Sequence, residues 1–140
     1  MEKEIIGSCL LIALVVIGYY SQSIQMSNTI LKSSQSCIIK CNYTASNTEC
    51  YRVDFANENE IQELANTLNN QRLFPNPFQT NSHAYPLTTY HLITNENEEW
   101  IELYSDNTLL VDGKGYFSFD FDDLFKKIEK SYMSKVPVKV

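Results

Sequence analysis

Four cysteines and two histidines are the residues from which this chain would have to build a reactive centre, and three of the cysteines stand close together. The run Cys37-Ile-Ile-Lys-Cys41-Asn-Tyr-Thr-Ala-Ser-Asn-Thr-Glu-Cys50 spaces them as Cys-x3-Cys-x8-Cys. Zinc would need a fourth ligand, and neither His83 nor His91 is nearby in sequence. One disulfide closing a small loop, with one thiol left over, is the simpler chemistry in an oxidising compartment. Cys41–Cys50 and Cys37–Cys50 are equally allowed, because spacing does not reveal connectivity. Nucleophilic catalysis needs a nucleophile, a base and an orienting group that converge. Cys41 or Cys50 with His83 or His91 would supply two of these, but nothing in the pattern joins them. His91, beside Tyr90, reads as a surface or edge-strand histidine.

The carboxylates are equally uncommitted. Asp120-Phe-Asp-Asp123, and Asp106 with Asp112, offer oxygens, but the alternating acids, glycine and closing glutamate of a calcium loop are absent. Asp120 and Asp122 read as the solvent face of a strand whose other face is Phe117, Phe119 and Phe121, with Asp122 or Asp123 capping a helix. Glu96, Glu98 and Glu99 fall in a hairpin turn, the usual place for solvated charge rather than for a glycosidase pair. Gly7, Gly18, Gly113 and Gly115 form no phosphate-binding loop. No catalytic, metal-binding or cofactor-binding residue is expected, and no cofactor; the chain does not read as an enzyme.

The elements that must carry these residues begin with Ile5–Tyr20, sixteen residues without a charge. As a helix they would extend about 24 Å at ~1.5 Å per residue, slightly short of a ~30 Å hydrocarbon core. Tyr19 and Tyr20 stand where an interfacial aromatic belt would, and Ile24 and Met26 would lengthen the span. An uncleaved signal anchor over 1–24 is the preferred reading. A cleaved signal peptide competes, although Tyr20-Ser-Gln-Ser offers no clear small-x-small site. Ile6-Gly-Ser-Cys9 echoes a lipobox, but the apolar run follows the cysteine instead of preceding it. Flanking lysines barely differ between the two sides; the short N-terminal stub and the cysteines favour a single-pass protein with its C-terminal domain outside the cytoplasm.

Residues 25–49 read as a polar tether with a cysteine-rich loop, 50–134 as an α+β domain and 135–140 as a tail that dangles or adds an edge strand. Tyr51, Val53 and Phe55 alternate with Arg52 and Asp54, the pattern of a half-buried strand. Asn57 and Glu60 form a capping box before Ile61, Leu64, Ala65 and Leu68, predicting an amphipathic helix to about Arg72. A proline-rich loop, 73–87, follows, in which Phe74, Phe78 and Tyr85 either pin the loop or meet a partner. Strands are expected over Thr88–Thr94, Glu99–Tyr104, Thr108–Val111 and Tyr116–Phe119, with Asp112-Gly113 as a hairpin turn. A last helix presents Leu124, Phe125, Ile128 and Tyr132. The order β-α-β-β-β-β-α implies an antiparallel meander sheet with helices covering one face.

Charge is divided. Between Asp54 and Asp123 thirteen acids face only Arg72 and Lys114, whereas five lysines face Glu129 beyond Leu124. An acidic body of this kind is a poor binder of phosphate backbones, so nucleic acid is not an expected partner. The stretch from Cys50 to Tyr132, with Tyr90-His-Leu-Ile, Trp100-Ile-Glu-Leu-Tyr and Leu110-Val-Asp-Gly-Lys-Gly-Tyr116, resembles small extracytoplasmic domains carried behind lipoprotein signals or N-terminal anchors in low-GC Gram-positive bacteria. That resemblance implies an envelope location and no known activity. The expected job is that of a membrane-tethered module that binds another protein through Phe74, Phe78, Tyr85 and His91. An immunity-like or inhibitory protein acting on a neighbouring membrane complex is the alternative, and a small hydrolase the third.

Overall fold

In a computed structural model, which describes residues 1–80, 82–95 and 100–140, the apolar run is one helix, α1 (Glu2–Ser21), with no buried residue. It is apolar all round, and it is long and apolar enough to cross a membrane. Beyond it come β1 (Ile24–Gln25), α2 (Met26–Leu31), β2 (Ser36–Tyr43), β3 (Thr48–Phe55), α3 (Glu58–Thr67) and β4 (Arg72–Pro75). Then follow β5 (Leu87–Thr94), β6 (Trp100–Tyr104), β7 (Leu109–Val111), β8 (Lys114–Phe117), α4 (Phe121–Met133) and β9 (Val138–Lys139). The architecture is α+β: an open antiparallel sheet in the order β1-β4-β8-β7-β6-β5-β2-β3-β9, with helices on one face.

Alternation along the strands builds that covered face. Ile38 is in register with Val53 and Leu92, Leu92 with Ile101, and Ile101 with Val111. Tyr90, Leu103 and Leu109 form the next row. Onto these pack Met26 and Ile30 of α2, Ile61, Leu64 and Ala65 of α3, and Leu124, Ile128 and Tyr132 of α4. Each fully buried Leu, Ile or Met side chain among them contributes about 1.5–3 kcal/mol.

Several elements depart from the sequence reading. Residues 25–49 are not a tether. Met26 and Ile30 are fully buried, and β2 lies between β3 and β5 as an interior strand of the sheet. The polar surroundings of Met26 and Ile30 hid a six-residue helix too short for a periodic signal. α3 ends at Thr67 rather than near Arg72, because Asn70 takes the left-handed conformation (φ 67°) that asparagine tolerates, and β4 starts two residues later. The capping box is present: Asn57 Oδ1 accepts from Glu60 N at 2.9 Å, and Glu60 returns a carboxylate oxygen to Ala56 N.

Asp112 and Gly113 both have positive φ, 52° and 78°, and Val111 pairs with Lys114, so the hairpin is a two-residue turn of the primed type. Accordingly β8 begins earlier than expected, at Lys114. The α4 cap is Asp120, which accepts from Asp123 N, and not Asp122 or Asp123; Phe121 therefore opens a helix instead of closing a strand. The tail adds the edge strand β9, pairing with β3 at Tyr51 and Arg52. Glu96, Glu98 and Glu99, expected in and after the β5–β6 turn, lie outside the described residues.

Candidate functional site

Among the described residues, α2, α3 and α4 cover one face of the sheet, while α1 meets the other only at its β4 end, where Tyr19 and Tyr20 contact Phe74. The residues with chemical character collect on that second face. Register sets Ile39 beside His91, His91 beside Glu102, Ile93 beside Trp100 and Thr89 beside Tyr104. His91 is the centre. It is 8% exposed and lies on an interior strand, not at an edge as the sequence suggested. The reason is β2: once residues 36–43 insert as a strand, β5 gains a second neighbour.

The tautomer of His91 follows from its partners. Trp100 Nε1, which can only donate, lies 3.0 Å from His91 Nδ1, so Nδ1 is bare. The proton therefore sits on Nε2 and is donated to Thr89 Oγ1 at 2.9 Å. Glu102 Oε1 stands 3.4 Å from the same Nδ1, and Glu102 Oε2 accepts from the Tyr104 hydroxyl at 3.0 Å. Burial pushes His91 below the usual histidine range, against an upward pull from Glu102. Tyr104 is held well above the usual tyrosine range by burial and then by the Glu102 carboxylate.

Hydroxyl, imidazole and carboxylate thus lie in the order of a hydrolytic triad, Thr89–His91–Glu102. The proton is in the wrong place for that chemistry: Nε2 donates to the Thr89 hydroxyl instead of taking its proton. Thr89 is also fully buried. The arrangement can instead switch, since protonating Nδ1 would turn the Glu102 contact into an ion pair and release the Trp100 indole.

A loop covers one end of this face. His83 stacks on Tyr104 with ring centroids 4.5 Å apart, and His83 Nδ1 lies 2.6 Å from Asp106 Oδ2. Asp106 is raised by burial, but the stronger combined effect of its bonds with His83 and Thr108 holds it below the usual carboxylate range. Asn76 N donates to the Gly115 carbonyl at 2.9 Å. A Cβ at Gly115 would come within 2.3 Å of Gln79 Cβ and 2.7 Å of the Asn76 carbonyl, so a glycine there lets the loop lie flat on β8. Beyond the loop's reach the face stays partly open, with Ile39, Tyr43 and Ile93 half-buried and Trp100 exposed.

The cysteines are resolved by register. Cys41 and Cys50 are directly opposed, Cα atoms 4.2 Å apart, and form the disulfide; Cys37 faces Asp54 and stays a buried thiol. Burial raises the Cys37 thiol above its ordinary range, with Arg52 opposing. Cys37 lines a cleft with Arg52, Asp54, Phe55 and Ile93, in which Arg52 and Asp54 pair at 2.7 Å. Among the described residues, no group of three His, Cys, Asp or Glu side chains is placed to hold a metal ion.

The residues expected as an interaction surface do not gather in one place. Phe74 is buried, stacked on Tyr19 of α1 at 5.7 Å and on Phe117 at 5.8 Å. Phe78 is exposed in the loop after β4, Tyr85 is exposed before Pro86, and His91 lies within the open face. The sequence reading missed Thr89, Trp100, Glu102 and Tyr104 as His91's neighbours. The signal was present in the alternation His91, Ile93 and Trp100, Glu102, Tyr104, but it needed the register between β5 and β6 to be used. No family model, curated protein or solved structure matches the chain.

Proposed function

We propose that the chain is a membrane-tethered, extracytoplasmic protein-interaction module without catalytic activity, and that the open part of the sheet's second face is its binding surface. One observation carries this reading. Ile93 and the exposed Trp100 are paired across β5 and β6, half-buried Ile39 lies diagonally from Ile93 on β2, and the hydrogen-bonded His91, Glu102 and Tyr104 lie beside them on the same face. A tryptophan over a rigid, internally satisfied sheet is the kind of anchor around which protein interfaces concentrate their binding energy. The apolar α1 and the Cys41–Cys50 disulfide support placement in a membrane with the domain on the oxidising side.

The direct join between α1 and the domain favours a second, narrower reading. Only Gln22 and Ser23 separate α1 from β1, and Tyr19 donates a hydrogen bond to the Pro75 carbonyl at 2.8 Å. A domain held this close reaches partners in or beside the same membrane, the setting of an immunity-like or inhibitory protein acting on a neighbouring complex. The test places a photo-crosslinking residue at Ile39 or Trp100 in cells. A discrete adduct at both, absent when the crosslinker is at Lys126 on the helical face, is the expected result. Equal crosslinking from both faces, or none from the open face, would overturn the assignment.

A further inference from the structure

The anchor and the domain meet in an aromatic cluster, and that cluster continues to the surface. Tyr19 and Tyr20 lie in the last turn of α1, a helix of twenty residues. Such a helix spans about 30 Å, so the two rings mark the depth where hydrocarbon gives way to headgroups. Both contact Phe74 at the end of β4, with centroids 5.7 and 6.1 Å away. Phe74 in turn meets Phe119 edge-on at 4.9 Å. Phe119 is 79% exposed and Phe78, three residues beyond the Pro75 carbonyl that Tyr19 engages, is 88% exposed. Among the described residues these are the two phenylalanines left in the open, and both stand at the anchor end.

The charges agree. Arg72 and Lys114 are the only arginine and lysine between Asp54 and Asp123. Arg72 lies 4.6 Å over the Tyr20 ring and donates to Ser23 Oγ at 2.7 Å. Lys114 lines a cleft with Tyr19, Gln22, Pro75 and Pro77. Aromatic rings with basic side chains at a helix end are the composition of a membrane interface belt. Asp112 and Asp120 lie close by in sequence, so the patch carries no surplus of positive charge.

We infer that Phe78 and Phe119 insert into the interfacial layer of the same bilayer that holds α1, so that the domain stands on its β1–β4 edge with the anchor and the two rings as three points of contact. This rests on the membrane reading of α1. It fixes the domain's orientation, which a single helix alone would leave free. The occupant is the lipid surface itself, because Phe119 joins the rings at the helix end through Phe74, and Phe78 follows closely on the Pro75 carbonyl that Tyr19 engages. Anionic lipid is not required, since the nearby acids balance the two cations.

The experiment uses the full chain in phosphatidylcholine vesicles. Phe78→Trp and Phe119→Trp are made singly, with Trp100 of the unaltered protein as the baseline emitter. Val136→Trp serves as control: it is 88% exposed and adjoins β9, at the opposite edge of the sheet from β1. The exposed positions tolerate the larger ring. The added emission at 78 and 119 is expected to be blue-shifted, and quenched several-fold more by lipids brominated near the glycerol end of the acyl chains than emission at 136. If the protein floats with the vesicles yet positions 78 and 119 are quenched no more than 136, the inference is overturned while the anchor stands. If the protein does not float with the vesicles, the anchor reading fails, and the inference with it.

Discussion

Breaking the Cys41–Cys50 disulfide perturbs one covalent bond whose energetic effect can be worked from its place in the chain. The bond closes a loop with a sequence separation of 9. Closing a loop of about ten residues removes roughly 9 cal/mol/K from the unfolded ensemble, or about 2.7 kcal/mol at 25 °C in the chain-entropy account. The domain beyond α1 has ~120 residues and an unfolding entropy near 250 cal/mol/K, so this loss lowers its Tm by roughly 10 °C. The assay is thermal unfolding of the detergent-solubilised protein followed by Trp100 fluorescence, which reports the domain rather than α1. Three samples are compared: the oxidised protein, the protein with excess reductant, and the Cys41→Ala/Cys50→Ala variant. Reduction and double substitution should both lower Tm by about that amount, and reductant should do nothing further to the variant. Cys37→Ala should retain the full reductant-sensitive drop. A shift under ~3 °C on reduction, or loss of the reductant effect in Cys37→Ala, would mean that the Cys41–Cys50 bond does not supply this stability.

Protonation of His91 gives a second expectation. Its folded-state pKa lies below the unfolded value, so the stability that it contributes is complete above about pH 6.5 and is lost as pH falls from there toward the folded value. Urea unfolding from pH 7.5 to 5 should show that loss, with a change in Trp100 emission as the indole leaves Nδ1, and His91→Gln should flatten both. Gly115→Ala should cost about 1–3 kcal/mol by pushing on Gln79 and the Asn76 carbonyl, and should speed proteolysis within residues 76–86. Asn57→Ala removes the side-chain acceptor for Glu60 N and should cost about 1 kcal/mol in chemical denaturation. Leu92→Ala, at the centre of the covered face, should cost about 2–5 kcal/mol by the same measurement.

What the sequence made legible was local. Alternation in Tyr51–Phe55, the Asn57–Glu60 capping box, the Asp112-Gly113 turn and the apolar α1 each depend on neighbours a few residues apart, and all four are present. The interior strand β2 was not legible, because it reads Ser-Cys-Ile-Ile-Lys-Cys-Asn-Tyr, with cysteines at positions that attract a redox explanation. Its role as a strand comes from long-range pairing with both β3 and β5. The same blindness moved His91 to an edge. A histidine's surroundings are decided by which strands flank it, and Glu102 and Trp100 reach His91 only through the β5–β6 register. The interaction residues scattered for a related reason: Phe74 and Phe78 are four apart in sequence, but one faces α1 and the other faces outward.

In the proposed function, α1 holds the chain in a membrane with the domain on the oxidising side. Labelling intact cells that express the Cys9→Ser/Cys37→Ser variant, with a membrane-impermeant thiol reagent, tests it most directly, since only Cys41 and Cys50 then report. No labelling is expected before treatment with an impermeant reductant and labelling of both cysteines after it, with the protein remaining in the membrane fraction through alkaline extraction. Labelling that appears only after lysis, or a protein released by alkaline extraction, would contradict it.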